Sequence, residues 1–302
     1  MHVQQAMLVP PSLPISSGRV EVHGHRGCRG LLPENTIPAF LHALQMGVDV
    51  LELDVIISAD NQVVVSHEPW LSSRLGSGPD GQLITPQHER AYNLYRLPYA
   101  AIRRCVVGAQ AIPGFPQQQI CPSYRPLLRE VLAATEAACR SLGRPLVRYS
   151  VEVKSSVGGD DIYHPAPVSF VELVMTELEV AAVVARTTLL SFDYRILQAA
   201  RSVVSKPIAL CLLSEEGTPA AVLFQQLGFV PDTFGPCFQL LSPEMVQDIA
   251  SEYPALRIVL WTVNELADLQ EALLWPIAGI TTDYPNRLLA LLPQERTSVV
   301  LH

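Results

Sequence analysis

Lysine is nearly missing from this chain of 302 residues: it occurs twice, at 154 and 206, against nineteen arginines. Charge of either sign is sparse, at 17% of residues, and its balance is acidic, with a formal net charge of -8. A surface built to hold a polyanion is basic, so nucleic acid is excluded as the main partner. The six cysteines, at 28, 105, 121, 139, 211 and 237, include no CxxC pair or other metal-finger spacing. They fit free, mostly buried thiols of a reducing compartment. No apolar run reaches the roughly 18 residues of a membrane span. The first residues carry no basic stretch and meet Pro10-Pro11 early, so no secretory signal is read and a cytoplasmic location is expected.

With 49% of its residues hydrophobic, the chain must bury a large core. Short apolar runs at 20–25, 49–57, 62–67, 146–154, 187–192, 207–213, 232–235, 257–263 and 279–282 read as strands. Between most of them apolar residues recur at helical spacing, as in Ile37, Phe40, Leu41 and Leu44 or Leu127, Val131, Ala134 and Ala138. Strand alternating with helix predicts a parallel sheet covered by helices. The runs 49–57 and 62–67 stand too close for a parallel crossover, which takes about a dozen residues, and must form a hairpin. With Asp60-Asn61 as a two-residue turn, Asp54 would face His67. Setting that arm aside leaves eight strand–helix units, the (β/α)8 TIM barrel, over 19–292. An N-terminal arm at 1–18 and a C-terminal tail at 293–302 flank it. The segment 68–126 breaks the rhythm: eight of its 59 residues are proline, against 25 of 302 overall, and it reads as a Pro-rich insertion over one end of the barrel.

A barrel interior is apolar, and functional groups come from the C-terminal ends of its strands. Several strand ends here are polar instead. The first runs into His23-Gly24-His25-Arg26-Gly27, the second carries Glu52 and Asp54 on one face, and the third carries Glu152 and Lys154 with the same spacing. Valine and leucine flank these carboxylates, so both faces are expected to be buried, and buried charges need partners or a metal. Glu52, Asp54 and Glu152 together suit one hard divalent cation, Ca²⁺ or Mg²⁺. The alternative is a salt-bridge cluster with Lys154 and Arg26. Beside a metal, Lys154 offers a compact positive charge to a phosphate oxygen. His25 and His67 reach the same mouth and can share general-acid and general-base roles. His23, one layer deeper, reads as a packed core histidine.

In order along the chain, His25-Arg26-Gly27, Pro33-Glu34-Asn35-Thr36, Glu52-Leu53-Asp54, Val64-Val65-Ser66-His67, Glu152-Val153-Lys154, Ser191-Phe192, Trp261-Thr262-Val263-Asn264 and Gly279-Ile280-Thr281-Thr282-Asp283-Tyr284-Pro285 resemble the glycerophosphodiester phosphodiesterase family. The resemblance runs from about residue 20 to 292. It implies a TIM barrel and metal-dependent hydrolysis of glycerophosphodiesters to sn-glycerol 3-phosphate and an alcohol. It places the catalytic histidines on His25 and His67, the metal carboxylates on Glu52, Asp54 and Glu152, and the phosphate contacts on Arg26 and Lys154. Trp261 is expected to wall the glycerol carbons. Glu34 either touches the metal shell or anchors His25 and Arg26, while Asn35 or Thr36 caps the first helix. Two residues depart from the family's pattern: Glu68 stands where aspartate usually follows the second histidine, and Asp60-Asn61 where the turn is usually Asp-Gly. Related barrels act on sphingomyelin or lysophospholipids and release a cyclic phosphate. For them Leu94, Tyr95, Leu97, Tyr99 and Ile102 of the insertion would supply an apolar lip. A non-catalytic barrel that binds phosphodiesters is a third alternative.

Overall fold

The nine apolar runs become nine strands among the described residues of the structure, a computed structural model describing 19–203 and 207–293. The expected arm at 1–18 and all of the expected tail except Pro293 lie outside them. The strands are β1 (Glu21–Gly24), β2 (Val50–Ile57), β3 (Val63–Val65), β4 (Arg148–Val153), β5 (Thr187–Ser191), β6 (Ala209–Ser214), β7 (Thr233–Pro236), β8 (Arg257–Leu260) and β9 (Gly279–Thr282). All but β3 pair in parallel, and β1 pairs with both β2 and β9, which closes an eight-stranded barrel. A closed sheet leaves no edge, and β3 is an antiparallel arm on β2.

A helix follows each barrel strand: α1 (Ile37–Met46) after β1, then, beyond the insertion with its single turn α2 (Tyr99–Ile102), α3 (Leu128–Ser141). The remaining helices are α4 (Pro167–Val180), α5 (Tyr194–Val203), α6 (Ala220–Leu227), α7 (Pro243–Glu252), α8 (Leu266–Ala272) and α9 (Pro285–Leu291). Local chemistry sets the ends of α1. The Thr36 side chain accepts from the Ala39 backbone N–H, Pro38 sits in the first turn, and Gly47 ends the helix in the left-handed region at φ 102°. Its inner face, Ala39, Phe40, Ala43 and Leu44, packs on the outside of the barrel in the main core.

One expectation about register is corrected. The pairs Val55 with Val65, Ile56 with Val64 and Ile57 with Val63 carry the ladder one residue away from the expected alignment, so Asp54 lies opposite Ser66. The turn is longer than two residues. Ser58 and Gln62 close it: the Ser58 N–H donates to the Gln62 carbonyl at 3.0 Å, and the Gln62 N–H donates to Ser58 Oγ at 3.0 Å. Asn61 takes φ 56° inside it, as the left-handed residue of a three-residue loop must.

The insertion is anchored rather than draped. Leu71, Ile84, Leu94, Ile102 and Cys105 pack with Ile56, Val64 and Leu127 in a satellite cluster against the hairpin. Leu71, Leu94 and Ile102 have no exposed surface. Each such side chain contributes roughly 1.5–3 kcal/mol relative to exposure, enough together to hold the segment at the barrel end. No helix among the described residues is long and apolar enough to cross a membrane.

Candidate active site

The C-terminal ends of β1, β2 and β4 bring the charged residues together. In the register of β2 with β4, Asp54 lies beside Glu152, and Glu52 points the same way two residues earlier. One oxygen from each of Glu52, Asp54 and Glu152 lies within 4.8 Å of the other two, and all three residues are buried. Burial, and then the charges of Asp54 and Glu152, push the Glu52 carboxyl well above the usual range. Glu152 is raised as well, by burial first and in part by Asp54, against the pull of Lys154. Asp54 goes the other way: burial is outweighed by Arg26, His67 and Lys154, which hold it ionised.

Such a cluster is costly unless a cation balances it. Asp54 Oδ1 is buried with no hydrogen-bond partner among the described residues. An acceptor left free beside two further carboxylates fits a hard cation with oxygen ligands.

The cations expected at the site are there, and they touch the carboxylates. Lys154 Nζ donates to Glu152 Oε1 at 2.6 Å and stands 3.8 Å from Asp54 Oδ1. Arg26 sits on a turn with φ 48°, which aims its backbone N–H at Glu52 Oε2, 2.8 Å away. Its guanidinium donates to Glu34 Oε1 at 2.7 Å and lies 3.2 Å from Asp54 Oδ2. Glu34 therefore anchors Arg26. Gly27, with φ 87°, follows in that turn, and a Cβ there would meet the Ala39 carbonyl carbon at 2.8 Å, so the turn can lie flat on α1 only with glycine. Thr36 caps α1, and Asn35 donates to Asp54 Oδ2 at 2.8 Å.

Each histidine rests on a carboxylate through Nδ1. His25 Nδ1 is 2.7 Å from Asp283 Oδ1, and His67 Nδ1 is 3.1 Å from Glu68 Oε1. An ionised carboxylate only accepts, so Nδ1 is the donor in each pair and Nε2 is the ring nitrogen left to exchange a proton. Burial holds His25 down at about 4, partly offset by Asp283. Burial pushes Glu68 up, but the hydrogen bond and charge of His67 outweigh it and leave the carboxyl at about 2. Asp283 is the residue that sequence reasoning quoted without giving it a role. It accepts from Arg29 Nε at 2.8 Å and from Asn264 Nδ2 at 2.7 Å as well as holding His25. Its position one residue beyond β9, at the same barrel end, was the available signal.

His25, Arg26, Glu52, His67, Glu152, Lys154 and Trp261 line one cavity of about 480 Å³ that opens at the mouth and continues down the barrel axis. Trp261 is fixed by its indole N–H on the Gly235 carbonyl, 2.7 Å away, and by Phe192 edge-on at 5.5 Å. His23 lies deeper, against Glu21 Oε2 at 3.3 Å. The apolar lip expected from the insertion does not form from the residues named for it. Leu94 and Ile102 are buried in the satellite cluster, Leu97 and Tyr99 pack against it, and Tyr95 packs on the main core.

A family model described as the glycerophosphoryl diester phosphodiesterase family matches residues 25–287. Over 52 residues the chain is 52% identical to human lysophospholipase D GDPD1, a stretch covering 17% of this chain and 17% of that protein. That match thus spans less than a fifth of the relative's length. Among solved structures, a Silicibacter pomeroyi protein assigned as a glycerophosphoryl diester phosphodiesterase is 29% identical, with a TM-score of 0.76 over 90% of this chain and 93% of its own. An Oleispira antarctica phosphodiesterase, solved with the product sn-glycerol-3-phosphate, is 19% identical and shares the fold, with a TM-score of 0.68 over 89% of this chain and 95% of its own.

Proposed function

The chain belongs to the glycerophosphoryl diester phosphodiesterase family, and on that premise we propose that its barrel mouth hydrolyses glycerophosphodiesters to sn-glycerol 3-phosphate and an alcohol. One observation carries the reading: two carboxylate-backed histidines open on one cavity together with Glu52 and Glu152, and Asp54 completes a buried carboxylate triad with those two. Glu52, Asp54 and Glu152 would hold one divalent cation, Ca²⁺ or Mg²⁺, which when bound supplies charge stabilisation at a phosphoryl oxygen. Arg26 and Lys154 offer further positive charge to the phosphate, where negative charge builds in the transition state. One histidine accepts the proton of the attacking water, or of the glycerol hydroxyl next to the ester, through Nε2. As the bond from phosphorus to the leaving oxygen breaks, the other histidine delivers a proton to that oxygen. Trp261 walls the glycerol carbons. Asp283 and Glu68 hold the two rings, and Glu34 holds Arg26.

The test is turnover of glycerophosphocholine by His25→Ala and His67→Ala. Each variant is expected to keep the melting temperature of the parent and lose hydrolysis by about 10²–10⁴-fold, the usual size of a general acid–base contribution. Parent-like turnover by either would overturn that histidine's role. A lysophospholipid substrate is the second reading, favoured by the likeness to a lysophospholipase D. Phosphorus NMR of both substrates separates the two and shows whether a cyclic phosphate is released.

A further inference from the structure

Arg125 is a buried cation that the reaction scheme leaves unused. Its segment crosses the hairpin beside the second histidine: the Val65 N–H donates to the Pro126 carbonyl at 2.8 Å, and Leu127 bridges Val64. The side chain is 4% exposed and lies among residues lining a small void with Glu34, Ser66 and His67. It makes no ion pair among the described residues; its one side-chain hydrogen bond runs from Nε to Ser66 Oγ at 3.4 Å. Burial pushes the guanidinium below its ordinary value, against the pull of Cys105, Glu68 and Glu34.

A buried charge without a paired carboxylate is less favourable to the fold than an apolar side chain of the same length. Such a charge does little for the fold. What it reaches is the backing of His67. Ser66 Oγ, which accepts from Arg125, donates onward to the Glu68 carbonyl at 3.0 Å. The Glu68 carboxylate holds His67 through Oε1, while its Oε2 is buried without a partner among the described residues. Oε1 of Glu68 is thus the oxygen that holds the ring, and Arg125 is a cation behind the turn that carries Glu68.

We propose that Arg125 is a positioning residue for His67, acting through Ser66 and Glu68 to keep the carboxylate on Nδ1. The inference rests on the acid–base reading of His67. It is tested with Arg125→Met and Arg125→Lys, each alone and combined with Glu68→Gln, by kcat, KM and melting temperature on glycerophosphocholine. Arg125→Met is expected to melt no lower than the parent, to keep KM, and to lose about 10–100-fold in kcat, as removal of a supporting contact behind an active group does. Arg125→Lys should recover part of that loss. In the Glu68→Gln background the same substitution should change kcat little. An unchanged kcat in folded Arg125→Met, or an equal loss in both backgrounds, overturns the proposal. Should Arg125→Met fail to fold, Ser66→Ala cuts the same link, and its kcat must fall at constant KM for the proposal to stand. Parent-like activity of His67→Ala would overturn the role of His67 itself, whatever Arg125 does.

Discussion

His25 and His67 share a residue-scale logic: a ring held at Nδ1 by a carboxylate, with Nε2 left for chemistry. For His25 the holder is Asp283, itself pinned by Arg29 and Asn264. Replacing Asp283 by Asn keeps the shape but lets the side chain offer an N–H where His25 now donates. The expected result is a loss of about 10²–10⁴-fold in kcat with a native melting curve, measured on glycerophosphocholine. The residues that gather at the barrel mouth were legible in the sequence. Charges among valines on short strands are rare enough to notice, and strand alternation shows which of them share a face. Asp283 was harder to read because its partner is 258 residues away, and no local spacing links them. Glu34 could be placed near the site but not assigned, since touching the metal shell and anchoring Arg26 ask for the same residue type.

At the scale of elements, all nine strands and the hairpin followed from apolar runs and the impossibility of a short parallel crossover. The hairpin's register did not, because it depends on how Ser58, Asp60 and Asn61 fold the loop rather than on the strands. Ser58 Oγ, bonded to Asp60 Oδ1 at 2.6 Å, makes the loop three residues long. A β-branched side chain at Asn61, with its φ of 56°, should therefore cost about 1–2 kcal/mol, read from urea unfolding of Asn61→Val; an unchanged midpoint would contradict this account of the turn. The opposite end of the barrel makes a different prediction. There Glu21 of β1 pairs with Arg148 of β4 at 2.9 Å and Arg257 of β8 at 2.6 Å. Burial favours protonation of Glu21, but His23, Arg257 and Arg148 outweigh it and hold the carboxyl well below its ordinary value. With the folded value depressed, this stabilisation is present above the unfolded value, about 4.3, and is lost as pH falls further. The gap in melting temperature between the parent and Glu21→Gln should be widest near neutral pH and close in acid. A gap independent of pH would contradict the assignment.

For the molecule as a whole, scarce charge is what makes the site visible: one of only two lysines and three buried carboxylates meet at one barrel end. The Pro-rich segment was readable as an insertion beside His67. Its packing was not, since Leu94 and Ile102 look the same in sequence whether they line a pocket or fill a satellite core. The carboxylate triad gives the account its central claim, that hydrolysis depends on a divalent cation held by Glu52, Asp54 and Glu152. The most direct measurement is a phosphorus NMR time course of glycerophosphocholine with chelator-treated protein, before and after return of Ca²⁺ or Mg²⁺. The account predicts a silent spectrum until the cation is restored, then conversion to sn-glycerol 3-phosphate, and no recovery in Asp54→Asn. Full turnover by the metal-free protein, or none with either cation, would contradict it.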